Sequence, residues 1–88
     1  MPDRDTLPAV DIVTVYGADW CGDCLRAKRW LEQTGTPFRY IDLQRDPAAQ
    51  RLVSDAGYRA IPLVVTPAGE VLVEPSNAEL ETVLRGAA

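Results

Sequence analysis

The chain has 88 residues, a formal net charge of -4 and no histidine. This length accommodates one domain, and a hydrophobic content of 47% is that of an ordinary globular protein. The absence of histidine excludes histidine-dependent acid–base catalysis. The acidic balance, with no basic cluster, argues against a nucleic-acid partner. A zinc site would need a dimer or carboxylate ligands, because one chain supplies only two cysteines.

The first ten residues are polar and contain two prolines. We expect 1–10 to form a flexible arm, so that the folded domain occupies 11–88. The start of the chain has no apolar stretch of signal-peptide length, and the longest apolar run, Ala60–Val65, is far short of a membrane span. These observations favour a cytoplasmic protein with no membrane partner. In a reducing cytosol, two close cysteines are more often catalytic or metal-binding than a permanent disulfide.

The first half of the chain alternates between strand and helix patterns. β-branched and aromatic residues predict a strand at Asp11–Tyr16. A helix is expected from Cys21 to Gly35, where the glycine and a proline two residues later end it. Helical spacing predicts the buried face of this helix, which carries Cys24, Ala27 and Leu31. A second strand is expected at Pro37–Leu43, where apolar and polar residues alternate.

The second half contains a helix, a hairpin and a last helix. Asp46-Pro47 is a helix start, with an N-cap followed by proline at the first position, and Gly57 is expected to close this helix. Apolar runs at Ile61–Thr66 and Glu70–Val73 predict a β-hairpin. A capping box over Ser76–Glu79 opens the last helix. The order β-α-β-α-β-β-α predicts an α/β fold, a four-stranded mixed sheet with parallel first strands and helices on both faces.

The two cysteines, Cys21 and Cys24, stand where the first strand leads into the first helix. The first turn of a helix has unpaired backbone N–H groups and partial positive charge, and both stabilise an anion. Because the thiolate is the nucleophile in disulfide exchange, Cys21 is the predicted nucleophile and Cys24 the predicted resolving thiol. Asp19 and Asp23 repel a thiolate and offset part of this effect, and basic residues later on the helix could compensate.

Three functions are compatible with a single Cys-x-x-Cys pair. Its position between a strand and a helix favours thiol–disulfide exchange. A cysteine-ligated iron–sulfur or zinc site shared by two chains is the second hypothesis. The third is an interaction module in which the thiols take no part. A coloured or metal-containing dimer would distinguish the second hypothesis, and activity measurements would distinguish the third.

The chain resembles the glutaredoxin-like branch of the thioredoxin-fold proteins. The resemblance lies in the element order and in two segments, Trp20-Cys21-Gly22-Asp23-Cys24 and Ala60-Ile61-Pro62. Within that branch the chain is most similar to the mycoredoxins of actinobacteria, whose Asn-Pro-Ser-Ala-like segment is echoed by Glu74–Ala78. The match covers nearly the whole chain from Asp11 onward. The resemblance implies a thioredoxin-like, glutaredoxin-type fold and a monomeric thiol–disulfide oxidoreductase.

The resemblance also implies further site residues. In the family, the proline matching Pro62 is cis and lies against the active site, and the residue before it, here Ile61, offers backbone hydrogen bonds to the thiol substrate. Trp20 either shields the disulfide and forms part of a docking surface or packs on the helix. Ser76 and Asn77 open the last helix, whose free N–H groups either hold a substrate group or are simply capped.

Departures from the family pattern bear on the small thiol. Glutathione-using glutaredoxins usually carry a lysine before the first cysteine and a Gly-Gly-X-Asp segment, where this chain has Gly17–Asp19 and Pro75–Ala78. An acidic residue near an incoming carboxylate argues against glutathione and favours mycothiol. The resemblance therefore implies protein disulfides or mixed disulfides as partners and no tightly bound cofactor. The co-substrate would be a low-molecular-weight thiol, namely mycothiol, bacillithiol or glutathione.

A thioredoxin-like electron donor is the main alternative within the family. Such a protein would pass electrons through both cysteines and would be reduced by a flavoenzyme reductase. The Trp-Ser-Gly-Phe segment of ribonucleotide-reductase redoxins is missing, since the corresponding stretch is Asn77–Leu80. This difference weakens the alternative without removing it.

Overall fold

A computed structural model of the chain describes residues 7–85. Over this range the chain forms four strands and three helices in the predicted order. The elements are β1 (Val13–Gly17), α1 (Gly22–Gln33), β2 (Phe38–Asp42), α2 (Pro47–Asp55), β3 (Leu63–Val65), β4 (Val71–Val73) and α3 (Asn77–Leu84). The predicted α/β class is confirmed. Between residues 7 and 85, no helix is both long enough and apolar enough to cross a membrane.

The four strands form one mixed sheet in the order β2-β1-β3-β4. β1 pairs in parallel with β2, from Val13 opposite Phe38 to Gly17 opposite Asp42. β1 also pairs antiparallel with β3, and β3 pairs antiparallel with β4. Because the first two strands are parallel, their carboxyl ends meet at one edge of the sheet. The chain leaves β1 at this edge to begin α1.

The strands of the hairpin are shorter than the apolar runs predicted. The run at Ile61–Thr66 includes a proline, which has no N–H to give to a strand ladder, and β3 begins only after it. At the other end, Thr66 belongs to the turn, since its N–H donates to the Glu70 carbonyl at 3.0 Å and its carbonyl accepts from Gly69 at 2.9 Å. Gly69 has a φ of 95°, a conformation that favours glycine.

The two faces of the sheet carry separate hydrophobic clusters. On one face, α1 and α3 pack against the sheet through a cluster of buried residues consisting of Val13, Val15, Ala27, Leu31, Val64 and Leu80. The predicted buried face of α1 is thus confirmed. On the other face, α2 contributes to a cluster of Leu7, Tyr16, Leu43, Ala49, Val53, Ala56, Leu63 and Val65. Helices therefore cover both faces, as expected for a mixed sheet of this size.

The helix starts follow the predicted capping chemistry. The Asp46 side chain accepts the Ala49 N–H at 3.0 Å, and proline occupies the first turn of α2. At α3, the Ser76 hydroxyl accepts the Glu79 N–H at 3.1 Å, and the Glu79 carboxylate accepts the Ser76 N–H at 2.8 Å. This is the reciprocal capping box that the sequence predicts. α2 ends before Gly57, which has a φ of 90°.

The folded core begins before the boundary predicted at residue 11. Leu7 is buried in the cluster beneath α2, and Val10 packs partly against the same cluster. Burial of a leucine side chain stabilises a domain by about 2 kcal/mol, so Leu7 contributes to the core from outside the predicted boundary. The first six residues of the expected arm lie outside the described residues.

Candidate active site

The cysteine pair lies at the first turn of α1, directly beyond the carboxyl end of β1. The connection is short, and a hydrogen bond from the Cys21 N–H to the Ala18 carbonyl at 3.1 Å closes it. Cys21 is the N-cap of α1, with extended backbone angles, and its sulfur accepts the Cys24 N–H at 3.2 Å. A sulfur thus occupies the position where serine or aspartate oxygen usually caps a helix. The amide and the helix dipole both stabilise negative charge on that sulfur.

The two thiols differ in their environment. Both are reduced in this structure. Cys24 has no exposed surface, whereas Cys21 retains 8%. Burial raises the pKa of the Cys24 thiol to about 12, and its side-chain hydrogen bonding with Cys21 acts in the same direction. At neutral pH Cys24 is therefore a neutral thiol, and the geometry favours Cys21 as the attacking thiolate.

The predicted residues around the cysteines come together. Ile61 packs against a small cluster formed by Ala18, Cys21 and Cys24. The Ile61–Pro62 peptide bond is cis, the isomer that the family resemblance implies, and Pro62 is fully buried. Trp20 exposes 68% of its surface. Most of its ring is therefore not packed on the helix, and a docking role for Trp20 stays a prediction.

A groove of about 200 Å³ opens beside this cluster. Trp20 and Ile61 line it next to the cysteines, and the remaining walls come from the end of β2 and from α2 and the loop that follows it. Its apolar lining consists of Ala18, Leu43, Val53 and Tyr58, and its polar lining consists of Gln44, Gln50 and Arg59. The two glutamines were not predicted from the sequence. Gln44 could have been inferred, because it follows the strand that runs parallel to β1 and ends at the same edge.

Ser76 and Asn77, predicted to contact substrate, are engaged within the protein. Ser76 forms the capping box described above. The Asn77 side-chain oxygen accepts a hydrogen bond of 2.7 Å from Arg26, which also donates to the Pro75 carbonyl at 2.9 Å. Arg26 thus connects the N-terminal half of α1 to the start of α3. This contact of Arg26 was not predicted from the sequence, and a substrate role for Ser76 and Asn77 stays a prediction.

Both aspartates near Cys21 have arginine neighbours. Arg26 lies 3.7 Å from the Asp23 carboxylate, and Arg45 lies 3.7 Å from that of Asp19. Exposed pairs of this kind stabilise a fold by less than about 1 kcal/mol. They do, however, offset the negative field that the two acids would otherwise impose on a thiolate at Cys21. Of the basic residues on α1 that were expected to compensate, Arg26 lies beside Asp23, whereas the arginine beside Asp19, Arg45, lies beyond β2.

One cysteine caps a helix that follows a parallel strand, and a second cysteine is buried one turn later beside a cis proline. This arrangement defines the active site of a thioredoxin-fold thiol–disulfide oxidoreductase. The comparisons with known proteins identify the branch. The family model described as Glutaredoxin matches residues 13–72. The chain belongs to the glutaredoxin family.

Individual relatives agree with this assignment. A provisionally named glutaredoxin of Mycobacterium tuberculosis is 32% identical over 74 residues, which cover 82% of this chain and 88% of the relative. The glutaredoxin-like protein NrdH of Escherichia coli is 32% identical over 53 residues, or 60% of this chain and 65% of that protein. A solved structure of NrdH-redoxin from Escherichia coli superposes with a TM-score of 0.73 at 24% identity, covering 81% of this chain and 92% of that chain.

Proposed function

We propose that this protein reduces mixed disulfides between proteins and a low-molecular-weight thiol, with Cys21 as the nucleophile. The Cys21 thiolate attacks the small-thiol sulfur, which forms a Cys21–thiol disulfide and releases the protein thiolate to take up a proton. A second small thiol then attacks that disulfide, which frees Cys21 and forms the oxidised small thiol. Alternatively, Cys24 attacks Cys21, which releases the small thiol and leaves a Cys21–Cys24 disulfide.

The hydrogen bond from the Cys24 amide to the Cys21 sulfur carries this proposal. It stabilises a thiolate on the Cys21 sulfur, while burial keeps Cys24 protonated. The groove gives a small thiol a place beside Cys21 without requiring it to reach Cys24. A second small thiol can therefore complete the cycle, and Cys24 assists without being required.

The groove favours a thiol that carries few carboxylates. Its polar lining is two neutral amides, Gln44 and Gln50, and one arginine, Arg59. The lining contains no lysine, and its one cation, Arg59, can pair with one carboxylate but not with both carboxylates of glutathione. These features suit hydroxyl and amide groups better than the two carboxylates of glutathione. We therefore place mycothiol ahead of bacillithiol and glutathione as the co-substrate.

A second candidate function is a dithiol electron donor reduced by a flavoenzyme reductase. Two observations favour it. The relatives include proteins named NrdH, and one solved neighbour is described as a glutaredoxin-like protein with a thioredoxin-like activity profile. In this route Cys24 is required in every cycle. In both candidate functions the protein acts in the reducing cytoplasm, as a monomer and without a tightly bound cofactor. Purification of a coloured or metal-containing dimer would overturn both functions.

A trapping experiment tests the choice of thiol. The Cys24→Ser variant cannot resolve a mixed disulfide on Cys21, so the adduct accumulates. We expect incubation with the disulfides of mycothiol, bacillithiol and glutathione in competition to give predominantly the mycothiol adduct, measured by intact mass and mapped to Cys21. The matched control, Cys21→Ser, should gain no adduct.

The other outcomes separate the two candidates. A dominant glutathione or bacillithiol adduct on Cys21 would contradict the assignment of the thiol but retain the reaction. No adduct from any of the three, in a protein that still reduces protein disulfides, would support the dithiol electron donor and overturn the proposed function.

A further inference from the structure

The hydroxyl of Tyr40 is buried and has no hydrogen-bond partner among the described residues. An unpaired buried hydroxyl destabilises a fold by about 1–3 kcal/mol, and such groups are uncommon in native proteins. Tyr40 lies on β2, opposite Val15 of β1, and packs with the cluster beneath α1 and α3. Its phenol therefore points to the face of the sheet that carries the cysteines.

The Tyr40 hydroxyl and the Cys24 sulfur both lie beside Gly17. A Cβ on Gly17 would lie 2.8 Å from the Tyr40 oxygen and 3.0 Å from the Cys24 sulfur. Both atoms thus converge on the one point at the end of β1 where the chain has no side chain. The oxygen and the sulfur are therefore at most 5.8 Å apart, and glycine adds no side chain between them. No hydrogen bond joins them in the reduced state, in which Cys24 interacts with Cys21 instead.

The surroundings keep the phenol protonated. Burial raises the pKa of Tyr40 to about 12, and the charges of Cys24, Asp19, Asp42 and Cys21 add to the effect in that order. From α1, the Lys28 ammonium lies 4.8 Å from the centre of the ring. Tyr40 is consequently a neutral hydrogen-bond donor throughout the physiological pH range.

We propose that Tyr40 is a positioning residue for Cys24, whose sulfur accepts a hydrogen bond from the Tyr40 hydroxyl when Cys24 carries negative charge. Charge develops there in one step of the cycle. The Cys24 thiol loses its proton and attacks the Cys21 sulfur of the mixed disulfide. The Cys21–Cys24 bond forms, the bond to the small thiol breaks, and the departing thiolate takes up the proton. In the reverse direction Cys24 is the leaving thiolate, and the same hydrogen bond stabilises it.

This hydrogen bond favours formation of the buried Cys24 thiolate, which the resolving step requires. Burial is the larger cause of the raised Cys24 pKa, and it persists after Cys21 has entered a mixed disulfide and can no longer carry charge. A donor close to Cys24 stabilises its thiolate and lowers that barrier, since hydrogen bonds to charged groups are about twice as strong as neutral ones. The proposal depends on the cysteine pair and is independent of which small thiol the protein uses.

Ellman's reagent reports the reactions of the two cysteines as two successive phases. Cys21 attacks the reagent and releases one coloured thiolate, and Cys24 then attacks the resulting mixed disulfide and releases a second. We expect Tyr40→Phe to leave the first phase unchanged and to slow the second by about three- to tenfold, because the thiolate loses one hydrogen bond while its greater basicity recovers part of the rate. Phenylalanine keeps the ring packing, and an unchanged first phase reports an intact fold.

The pH profile of the second phase checks that the attacking species is the Cys24 thiolate. In the wild type this phase should accelerate by about tenfold per pH unit from pH 6 to 9, because the Cys24 thiolate is a minor species at each of these pH values. The Tyr40→Phe profile should keep the same slope and lie below the wild-type profile by the same factor at every pH. Tyr16→Phe, the same deletion in the cluster on the opposite face, should leave both phases unchanged. An unchanged second phase in Tyr40→Phe, equal slowing of both phases, or equal slowing in Tyr16→Phe would overturn the proposal.

Discussion

Replacing Cys21 with serine is expected to reduce the turnover of a small-thiol mixed disulfide by about a thousandfold or more, the scale of removing a catalytic nucleophile. The physical reason lies in the N-cap geometry. The first turn of α1 directs the Cys24 amide at the Cys21 sulfur, and a serine hydroxyl at the same place stays protonated and cannot displace a thiolate from a disulfide. The measurement is the rate of mixed-disulfide reduction with excess small thiol.

Cys24→Ser is the matched control for this prediction. Its side chain has no exposed surface, and a second small thiol can attack the Cys21 mixed disulfide without it. We expect this variant to keep most of the wild-type rate. Equal losses in the two variants would show that every cycle passes through the Cys21–Cys24 disulfide, as in the dithiol electron donor. An active Cys21→Ser variant would contradict the assignment of the nucleophile.

Replacing Gly17 with alanine is expected to lower the free energy of unfolding by about 1–3 kcal/mol, the usual result of overpacking a core. The added Cβ would lie 2.8 Å from the Tyr40 oxygen and 3.0 Å from both the Cβ and the sulfur of Cys24. These atoms are held by a β-strand and by the first turn of a helix, so relief requires one of those elements to move. Urea unfolding of the reduced protein, monitored by tryptophan fluorescence, measures the change.

Gly22 supplies the control because it lies only five positions along the chain and has open space around it. Apart from the adjoining residues and the backbone of α1 itself, no heavy atom lies within 4 Å of a Cβ built there, and φ at Gly22 is not in the left-handed region. Gly22→Ala should change stability by less than about 1 kcal/mol and in the stabilising direction, since alanine restricts the unfolded chain. A Gly17→Ala protein as stable as the wild type would show that the strand and helix adjust freely. Equal losses at both glycines would show that close approach is not the cause.

Local sequence signals predicted most of the fold. The Asp46-Pro47 helix start and the capping box at Ser76 use contacts within four residues, so their chemistry can be read directly from the chain. The position of Cys21 at a helix N-terminus follows in the same way from the strand before it and the helical spacing after it. The ends of the hairpin strands were less predictable, because hydrogen bonding of Thr66 within the turn competes with the strand ladder.

The parts of the site that sequence analysis missed depend on contacts between distant segments. Arg26 reaches Asn77, 51 residues further along the chain. Tyr40 lies near Cys24 only because the parallel register sets β2 beside β1 and places Gly17 next to both side chains. In the sequence, Tyr40 is one aromatic residue of an alternating strand. Its unpaired hydroxyl becomes apparent only when the surrounding atoms are in place.

The most direct measurement is the site of alkylation by limiting iodoacetamide at pH 7 in the fully reduced protein, located by peptide mass spectrometry. Only thiolates react at an appreciable rate. With a pKa of about 12 and no exposed surface, Cys24 should remain unmodified while Cys21 is carboxamidomethylated. Modification confined to Cys21 is the predicted result, and modification of Cys24 first, or of both at similar rates, would contradict the division of roles between the two cysteines.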